Sequence, residues 1–137
     1  MASASVAAVL PWSSVWVFGD NGSSQLGDNS TTDRKVPTRV PGLSNVVAVA
    51  AGSLHPMALT SSGTVYTFGE NTCGQIGNAA APTDRKKPFA LTSVQAIAAG
   101  GLFSMAVLAN GDAHAWGKNT NRQFGNGGTA AVNASPS

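Results

Sequence analysis

The side chains with the greatest capacity for chemistry in this chain form no catalytic or metal-binding pattern. His55 and His114 are the only histidines, and neither has a second His or a Cys at the spacing of zinc ligands. Phe103 stands in the place of His55 in a second copy of the local sequence, which favours packing over chemistry for His55. The carboxylates are scattered through separate loops, at Asp20, Asp28, Asp33, Glu70, Asp84 and Asp112. We therefore predict that the chain is not an enzyme and has no catalytic residues, metal or cofactor.

The composition indicates a globular chain rich in turns. Of its 137 residues 42% are hydrophobic, 10% are charged and sixteen are glycine. A net charge of +2 does not argue for a nucleic-acid partner. A single cysteine, Cys73, excludes an internal disulfide framework. Together with the lack of a signal-peptide pattern it favours an intracellular location, and no apolar stretch is long enough to span a membrane.

Internal repetition is the strongest feature of the sequence. Residues 15–21 recur at 65–71 and, more weakly, at 113–119, so that equivalent glycines are 50 and 48 residues apart. Such a fixed period is typical of repeat architectures. The repeated positions are predicted to be structural and comprise Gly19, Asn21, Gln25, Gly27, Gly52, His55, Gly69, Asn71, Gln75, Gly77, Gly100, Gly117, Asn119, Gln123 and Gly125. We expect the glycines to make turns or close approaches, and the amides to bind loop backbone groups.

Each repeat unit is predicted to contain short strands. An apolar run at 46–51, copied at 94–99, is followed by a second run, a glycine turn and a third strand. A proline then introduces a short fourth segment at 36–40 or 88–91, as suits an edge strand. Four short strands at a period near fifty predict a propeller blade.

The predicted fold class is therefore all-β, a partial β-propeller of under three four-stranded blades. Residues 1–45 make most of a blade that lacks its first strand. Residues 46–91 make a complete blade, and residues 92–137 make a blade that lacks its fourth strand.

The repeats resemble those of the regulator of chromosome condensation family. The runs at 19–28 and 69–77 are similar to its G-x-N-x-x-G-Q-L-G pattern, and 46–59 is similar to its V-x-x-V-A-A-G-x-x-H-x-x-A-L pattern. The sequence departs from the pattern at Ser24, Arg122 and Phe103. The resemblance implies a closed seven-bladed ring, whereas an open arc of under three blades exposes two apolar faces. We therefore expect a fragment of a longer protein or an arc held by partner chains.

The main candidate for a functional segment is a charged loop that precedes the proline of the fourth segment in a repeat unit. It carries five of the eight cations, in two copies composed of Asp33, Arg34 and Lys35, and of Asp84, Arg85, Lys86 and Lys87. Long loops on a rigid scaffold often carry binding residues, so these are candidate partner-binding loops. The alternative is that they are solvated loop charges with the aspartates pairing locally.

The sequence predicts a non-catalytic protein-interaction scaffold that is a fragment or subunit of a larger propeller or assembly. We expect protein partners, among them other chains that complete the ring. The family resemblance implies an alternative, in which the chain regulates guanine-nucleotide exchange on a small GTPase or binds chromatin.

Overall fold

The computed structural model describes residues 5–9, 14–78, 91–128 and 132–133, and every regular element in these ranges is a β-strand. The strands form three antiparallel sheets. The first sheet has the order β1 (Ser5–Val9), β2 (Val15–Gly19) and β3 (Arg34–Arg39). The second has the order β4 (Val46–Ala51), β5 (Pro56–Thr60) and β6 (Val65–Thr67). The third has the order β10 (Val132–Asn133), β9 (Ala113–Lys118), β8 (Phe103–Leu108) and β7 (Val94–Ala99). This confirms the predicted all-β fold class.

The second and third sheets repeat each other in register. Val49 pairs with Ala58 in the second sheet, and Ile97 pairs with Ala106 in the third. The first pair of strands in each sheet also shifts register at the same place, at Val47 in one and at its counterpart in the other. A shared bulge of this kind sets the local twist of both sheets alike. Equivalent residues of the two repeats therefore point in equivalent directions.

Glycine turns join the central strands to the third strand of each unit. Gly63 has a φ of 77° and its amide donates to the carbonyl of Thr60, 2.9 Å away. Gly111 has a φ of 91° and donates in the same way to Leu108, at 3.0 Å. A positive φ at these turns suits glycine, which lacks the Cβ that would be strained there.

Two apolar cores lie between the three sheets. The first core joins the first and second sheets and contains Val15, Val17, Leu26, Val40, Leu43, Val46, Ala58 and Phe68. The second core joins the second and third sheets and contains Met57, Leu59, Val65, Val94, Ala106 and Trp116. The second sheet thus buries residues on both of its faces, because alternate side chains of a strand point to opposite sides.

The third unit has one strand more than the sequence predicts. The third sheet has a fourth strand, the two-residue β10, where the sequence predicts three strands. This strand forms because Val132 and Asn133 pair with the edge residues Lys118 and Gly117 of β9. The predicted fourth strand of the second unit, at 88–91, lies mostly outside the described residues. In the described part of the chain no helix has the length and apolar character needed to cross a membrane.

Candidate functional site

The repeat loops, residues 19–28, 69–77 and 117–125, are organised around one asparagine each. The side-chain oxygen of Asn21 accepts a hydrogen bond from the amide of Leu26 at 3.0 Å. Asn71 and Asn119 accept the corresponding bonds from Ile76 and Phe124, also at 3.0 Å. A buried amide that binds backbone groups fixes the shape of a loop that has no ladder of its own.

The glutamine of each repeat loop fixes the preceding turn. The Gln25 side-chain oxygen accepts from the amide of Ser23 at 2.8 Å, and Gln75 does the same for Cys73 at 2.8 Å. In the third repeat loop Gln123 accepts from Asn121 at 2.9 Å. The three loops therefore have the same internal hydrogen bonds although their exposure differs.

Repeated glycines allow each repeat loop to rest on the next sheet. A Cβ at Gly69 would overlap the carbonyl oxygen of Leu54 and lie 3.1 Å from the Cα of Gln25. A Cβ at Gly117 would lie 2.6 Å from the carbonyl oxygen of Leu102 and 3.1 Å from the Cα of Gln75. Glycine is needed at both places because the backbones approach too closely for a side chain.

The same contact places a ring against a glycine of the preceding loop. A Cβ at Gly27 would come within 2.8 Å of the Phe68 ring. Phe68 and Gly27 are both buried, and Phe68 is part of the first core. The Phe68 ring therefore packs between that core and the first repeat loop.

Two hydrogen bonds hold the second repeat loop onto the third sheet. The carbonyl oxygen of Gln75 accepts from the indole N–H of Trp116 and from the hydroxyl of Ser104, each at 2.9 Å. Trp116 and Ser104 are fully buried. The sequence does not reveal this pair of bonds, because spacing along the chain gives no sign of which carbonyl an indole will reach.

His55 links the second sheet to the third and is fully buried. Its Nε2 lies 3.2 Å from the carbonyl oxygen of Phe103, so that this nitrogen carries the proton and donates. Its Nδ1 has no hydrogen-bond partner among the described residues. Burial lowers the pKa of His55 to about 4, despite opposing effects of the Phe103 carbonyl and the charge of Glu70. A Cβ at Gly52 would overlap the His55 ring, and one at Gly100 would overlap the Phe103 ring.

Acidification should therefore destabilise the fold through His55. Its pKa is 6.5 in the unfolded chain and about 4 in the fold, so the unfolded chain binds more protons between these values. The free energy of unfolding should fall as the pH falls from 6.5 to 4, by about 3 kcal/mol in total. Urea denaturation across this range measures the slope. His55→Phe, which copies Phe103 of the next repeat, should remove most of it, and an unchanged slope in this variant would rule out the assignment.

Some side chains of the first candidate partner-binding loop already form hydrogen bonds or an ion pair within the chain. Asp28 forms an ion pair with Arg34 and accepts from Asn21 and Ser30. Burial raises the pKa of Asp28, but the hydrogen bonds from Ser30, Arg34 and Asn21 outweigh it and hold the pKa below its ordinary value. The side chain of Asp33 accepts from the amide of Asn21 at 2.9 Å.

Of the first charged loop, Lys35 is not bonded in this cluster. Lys35 is exposed on β3, the edge strand of the first sheet. The second copy of the loop, Asp84, Arg85, Lys86 and Lys87, lies outside the described residues. Within the described ranges no three His, Cys, Asp or Glu side chains come together as a metal-binding group.

An apolar surface lies on the side of the third sheet that faces away from the second. We call this surface the outgoing face; it consists of Ala96, Ala98, Met105 and Val107. Val107 is 39% exposed, whereas its repeat equivalent Leu59 is 2% exposed beneath the third sheet. The third repeat loop beside it is also uncovered, since nothing lies within 4 Å of a Cβ at Gly125, whereas the equivalent Gly27 is buried.

The sequence predicts exposed blade faces but not which residues form them. The repeat period could have identified these residues, because Met105 and Val107 follow Met57 and Leu59 by 48 residues. Met57 and Leu59 belong to the second core. Met105 and Val107 thus occupy repeat positions that form an interior core one unit earlier.

Three sheets packed face to face through repeated loop contacts define a partial β-propeller. The model of the regulator of chromosome condensation (RCC1) repeat matches residues 13–59 and 62–107, and a second model of that repeat matches 46–75 and 94–123. The chain belongs to the RCC1 repeat family, which confirms the resemblance noted in the sequence.

Individual relatives are similar to this chain over part of their length. An RCC2 homolog of Danio rerio is 46% identical over 65 residues, which cover 46% of this chain and 13% of that protein. The human WBSCR16 structure has a TM-score of 0.82 and 25% identity, covering 98% of this chain and 36% of its own.

The fold similarity extends to a more distant structure. That of Prp20p from Saccharomyces cerevisiae, described with its binding to Gsp1p and histones, has a TM-score of 0.79 and 21% identity. It covers 98% of this chain and 36% of the Prp20p chain. The chain thus spans about a third of these solved propellers and about an eighth of the RCC2 homolog.

Proposed function

We propose that the chain is a non-catalytic protein-interaction scaffold that works as part of a larger propeller or assembly. The observation that carries the proposal is the outgoing face. Its residues are apolar and uncovered, while their equivalents in the second sheet form an interior core. An apolar surface of this kind marks a site of association with another macromolecule.

The charged loop at 33–35 is proposed as a second contact surface. Its supporting feature is the rigid base formed by Asn21, Asp28 and Arg34, which holds the start of β3 in place. Lys35 is exposed beyond this base, and Arg39 is exposed at the other end of the same edge strand. Exposed cations on a fixed edge suit an acidic segment of a protein partner.

A regulatory role is the alternative form of this function. Prp20p is described with its binding to Gsp1p and histones, and the chain has the same fold as about a third of that protein. A chain of this size would contribute one sector of such a propeller. Under this alternative its partner would be a small GTPase or a histone.

Photo-crosslinking in the source cells tests the proposal. A photoreactive amino acid at Val107 should capture specific proteins, because the outgoing face is where the structure is uncovered. The matched control is the same amino acid at Val47, which is 56% exposed and lies in the second sheet, both faces of which are covered.

The adducts at Val107 should disappear when Met105→Lys places a charge on the same face. A third probe at Lys35 reports on the charged loop. The same set of adducts at Val107 and Val47 would contradict the proposal, and a small GTPase or histone among the specific adducts would favour the regulatory alternative.

A further inference from the structure

Three asparagines of the chain are followed directly by glycine: Asn21, Asn110 and Asn126. In such a pair the backbone nitrogen of the glycine can attack Cγ of the asparagine, because glycine has no side chain to crowd that nitrogen. The bond from the nitrogen to Cγ forms and the bond from Cγ to Nδ2 breaks, so that the side-chain amide leaves as ammonia with the proton of the backbone nitrogen. Water then opens the cyclic imide to aspartate or isoaspartate. What holds these atoms in the fold decides which pair reacts.

Asn21 is held away from this reaction. Its side chain is fully buried, and its Nδ2 donates to the Asp28 carboxylate at 3.0 Å and to the Ser30 carbonyl at 2.9 Å. Its Oδ1 accepts from the amide of Leu26 at 3.0 Å. Because the side chain cannot turn toward the Gly22 nitrogen without breaking these bonds, the reaction requires the repeat loop to open.

Asn110 is exposed, but the atoms that would react are engaged. Its Nδ2, the leaving group, donates to the Asp112 carboxylate at 2.6 Å. The Gly111 nitrogen, which would attack, donates to the carbonyl of Leu108 at 3.0 Å in the glycine turn. Attack therefore requires this turn to lose its hydrogen bond.

Asn126 has neither of these restraints. It is exposed, and no described residue accepts a hydrogen bond from its Nδ2 or from the Gly127 nitrogen. Its Oδ1 accepts from the amide of Gly128 at 3.0 Å. This donor lies where negative charge develops when Cγ is attacked, and a placed donor of this kind lowers the barrier to attack on a carbonyl.

The first repeat loop already contains the product at the equivalent position. Asn126 and Asp28 occupy the same position of the repeat. The Asp28 carboxylate accepts from Nδ2 of Asn21, whereas the equivalent Nδ2 of Asn119 donates to the carbonyl of Gly128 at 3.1 Å. Asp28 is bound by residues of its own unit, so the surroundings of this position do not depend on a neighbouring sheet.

From these environments we infer that Asn126 is a site of spontaneous deamidation, which gives the third repeat loop the carboxylate that the first repeat loop already has. The inference is independent of the proposed function. Each conversion lowers the net charge of +2 by one. Aspartate at this position can accept from Asn119 as Asp28 accepts from Asn21. Isoaspartate instead adds a methylene group to the backbone and disrupts the turn to Gly128.

Ageing the purified chain at neutral pH, both folded and in urea, tests the inference. Proteolysis and mass spectrometry give the converted fraction at all three pairs in the same sample, and an isoaspartyl methyltransferase labels the isoaspartate product. In the folded chain Asn126 should convert faster than Asn110 and about tenfold or more faster than Asn21, because reaction at Asn21 requires local opening. In urea the three rates should become similar.

Two results would overturn the inference: Asn126 converts no faster than Asn110 in the folded chain, or folding slows Asn126 as much as it slows Asn21. Gly127→Ala is the matched variant and should slow conversion at Asn126 while Asn110 is unchanged. Because the φ of 77° at Gly127 strains an alanine in the fold, the rates in urea provide the second readout for this variant. Asn126→Asp should keep the β-sheet circular dichroism and the stability of the unchanged chain, and a loss of either would overturn the equivalence with Asp28.

Discussion

Replacing Gly69 with alanine should be among the most damaging single substitutions in the chain. The added Cβ would overlap the backbone carbonyl of Leu54 and press on Gln25, and neither backbone is free to move away. The φ of 92° adds the strain of a left-handed conformation. Strain of about 1–2 kcal/mol and overpacking of about 1–3 kcal/mol together give a loss of about 2–5 kcal/mol. Urea denaturation followed by circular dichroism measures it.

Gly111 provides the matched control for this substitution. Its φ of 91° is nearly that of Gly69, but nothing lies within 4 Å of a Cβ built there. Gly111→Ala should therefore lose only the conformational part, about 1–2 kcal/mol. The difference between the variants measures the crowding of Gly69 by Leu54 and by Gln25 of the first repeat loop. Equal losses in both variants would show that this crowding relaxes without cost.

Much of the fold could be predicted because each strand can be compared with the equivalent segment of another repeat. The strand at 94–99 is predicted from its likeness to 46–51, although Gln95 interrupts it. The structure adds a reason for this interruption, since Gln95 and Val47 lie where the register shifts and are exposed. A polar residue is tolerated there because the bulge turns it away from both cores.

The partners of individual polar groups could not be predicted in the same way. Arg34 adjoins Asp33 in the sequence, yet it forms its ion pair with Asp28, six residues earlier. Asp33 instead accepts from the Asn21 amide. The loop backbone decides these pairings, and neighbours in sequence need not be neighbours in space. The charged-loop prediction thus identified a region, while the structure distinguishes its fixed members from its exposed ones.

The sequence also does not show on which face of a sheet each alternating side chain lies. Period-two alternation separates Val15 and Val17 from Trp16 and Phe18, but it does not say which pair meets the following sheet. In the structure the valines enter the first core and the aromatic residues lie on the other side. This choice gives the first sheet an aromatic face opposite the first core. The outgoing face of the third sheet is instead aliphatic.

Trp116→Ala should cause the largest loss of packing between the second and third sheets. Among the described residues Trp116 is the bulkiest fully buried side chain, and it lies in the second core beside Met57 and Val65. Truncation should cost about 3–5 kcal/mol, the range for buried aromatic residues. Amide hydrogen exchange should show faster opening in the second and third sheets than in the first, because each sheet contacts only its neighbours.

Trp116→Phe separates the hydrogen bond from the packing, because Phe68 fills the equivalent place in the preceding repeat. This variant keeps a ring in the core but loses the indole N–H that donates to the Gln75 carbonyl. That carbonyl still accepts from Ser104, so the loss should be nearer 1 kcal/mol, as expected for a single hydrogen bond. If Trp116→Phe were as unstable as Trp116→Ala, the hydrogen bond to the repeat loop would hold the sheets together. A clear gap between the two variants assigns the interface to ring packing.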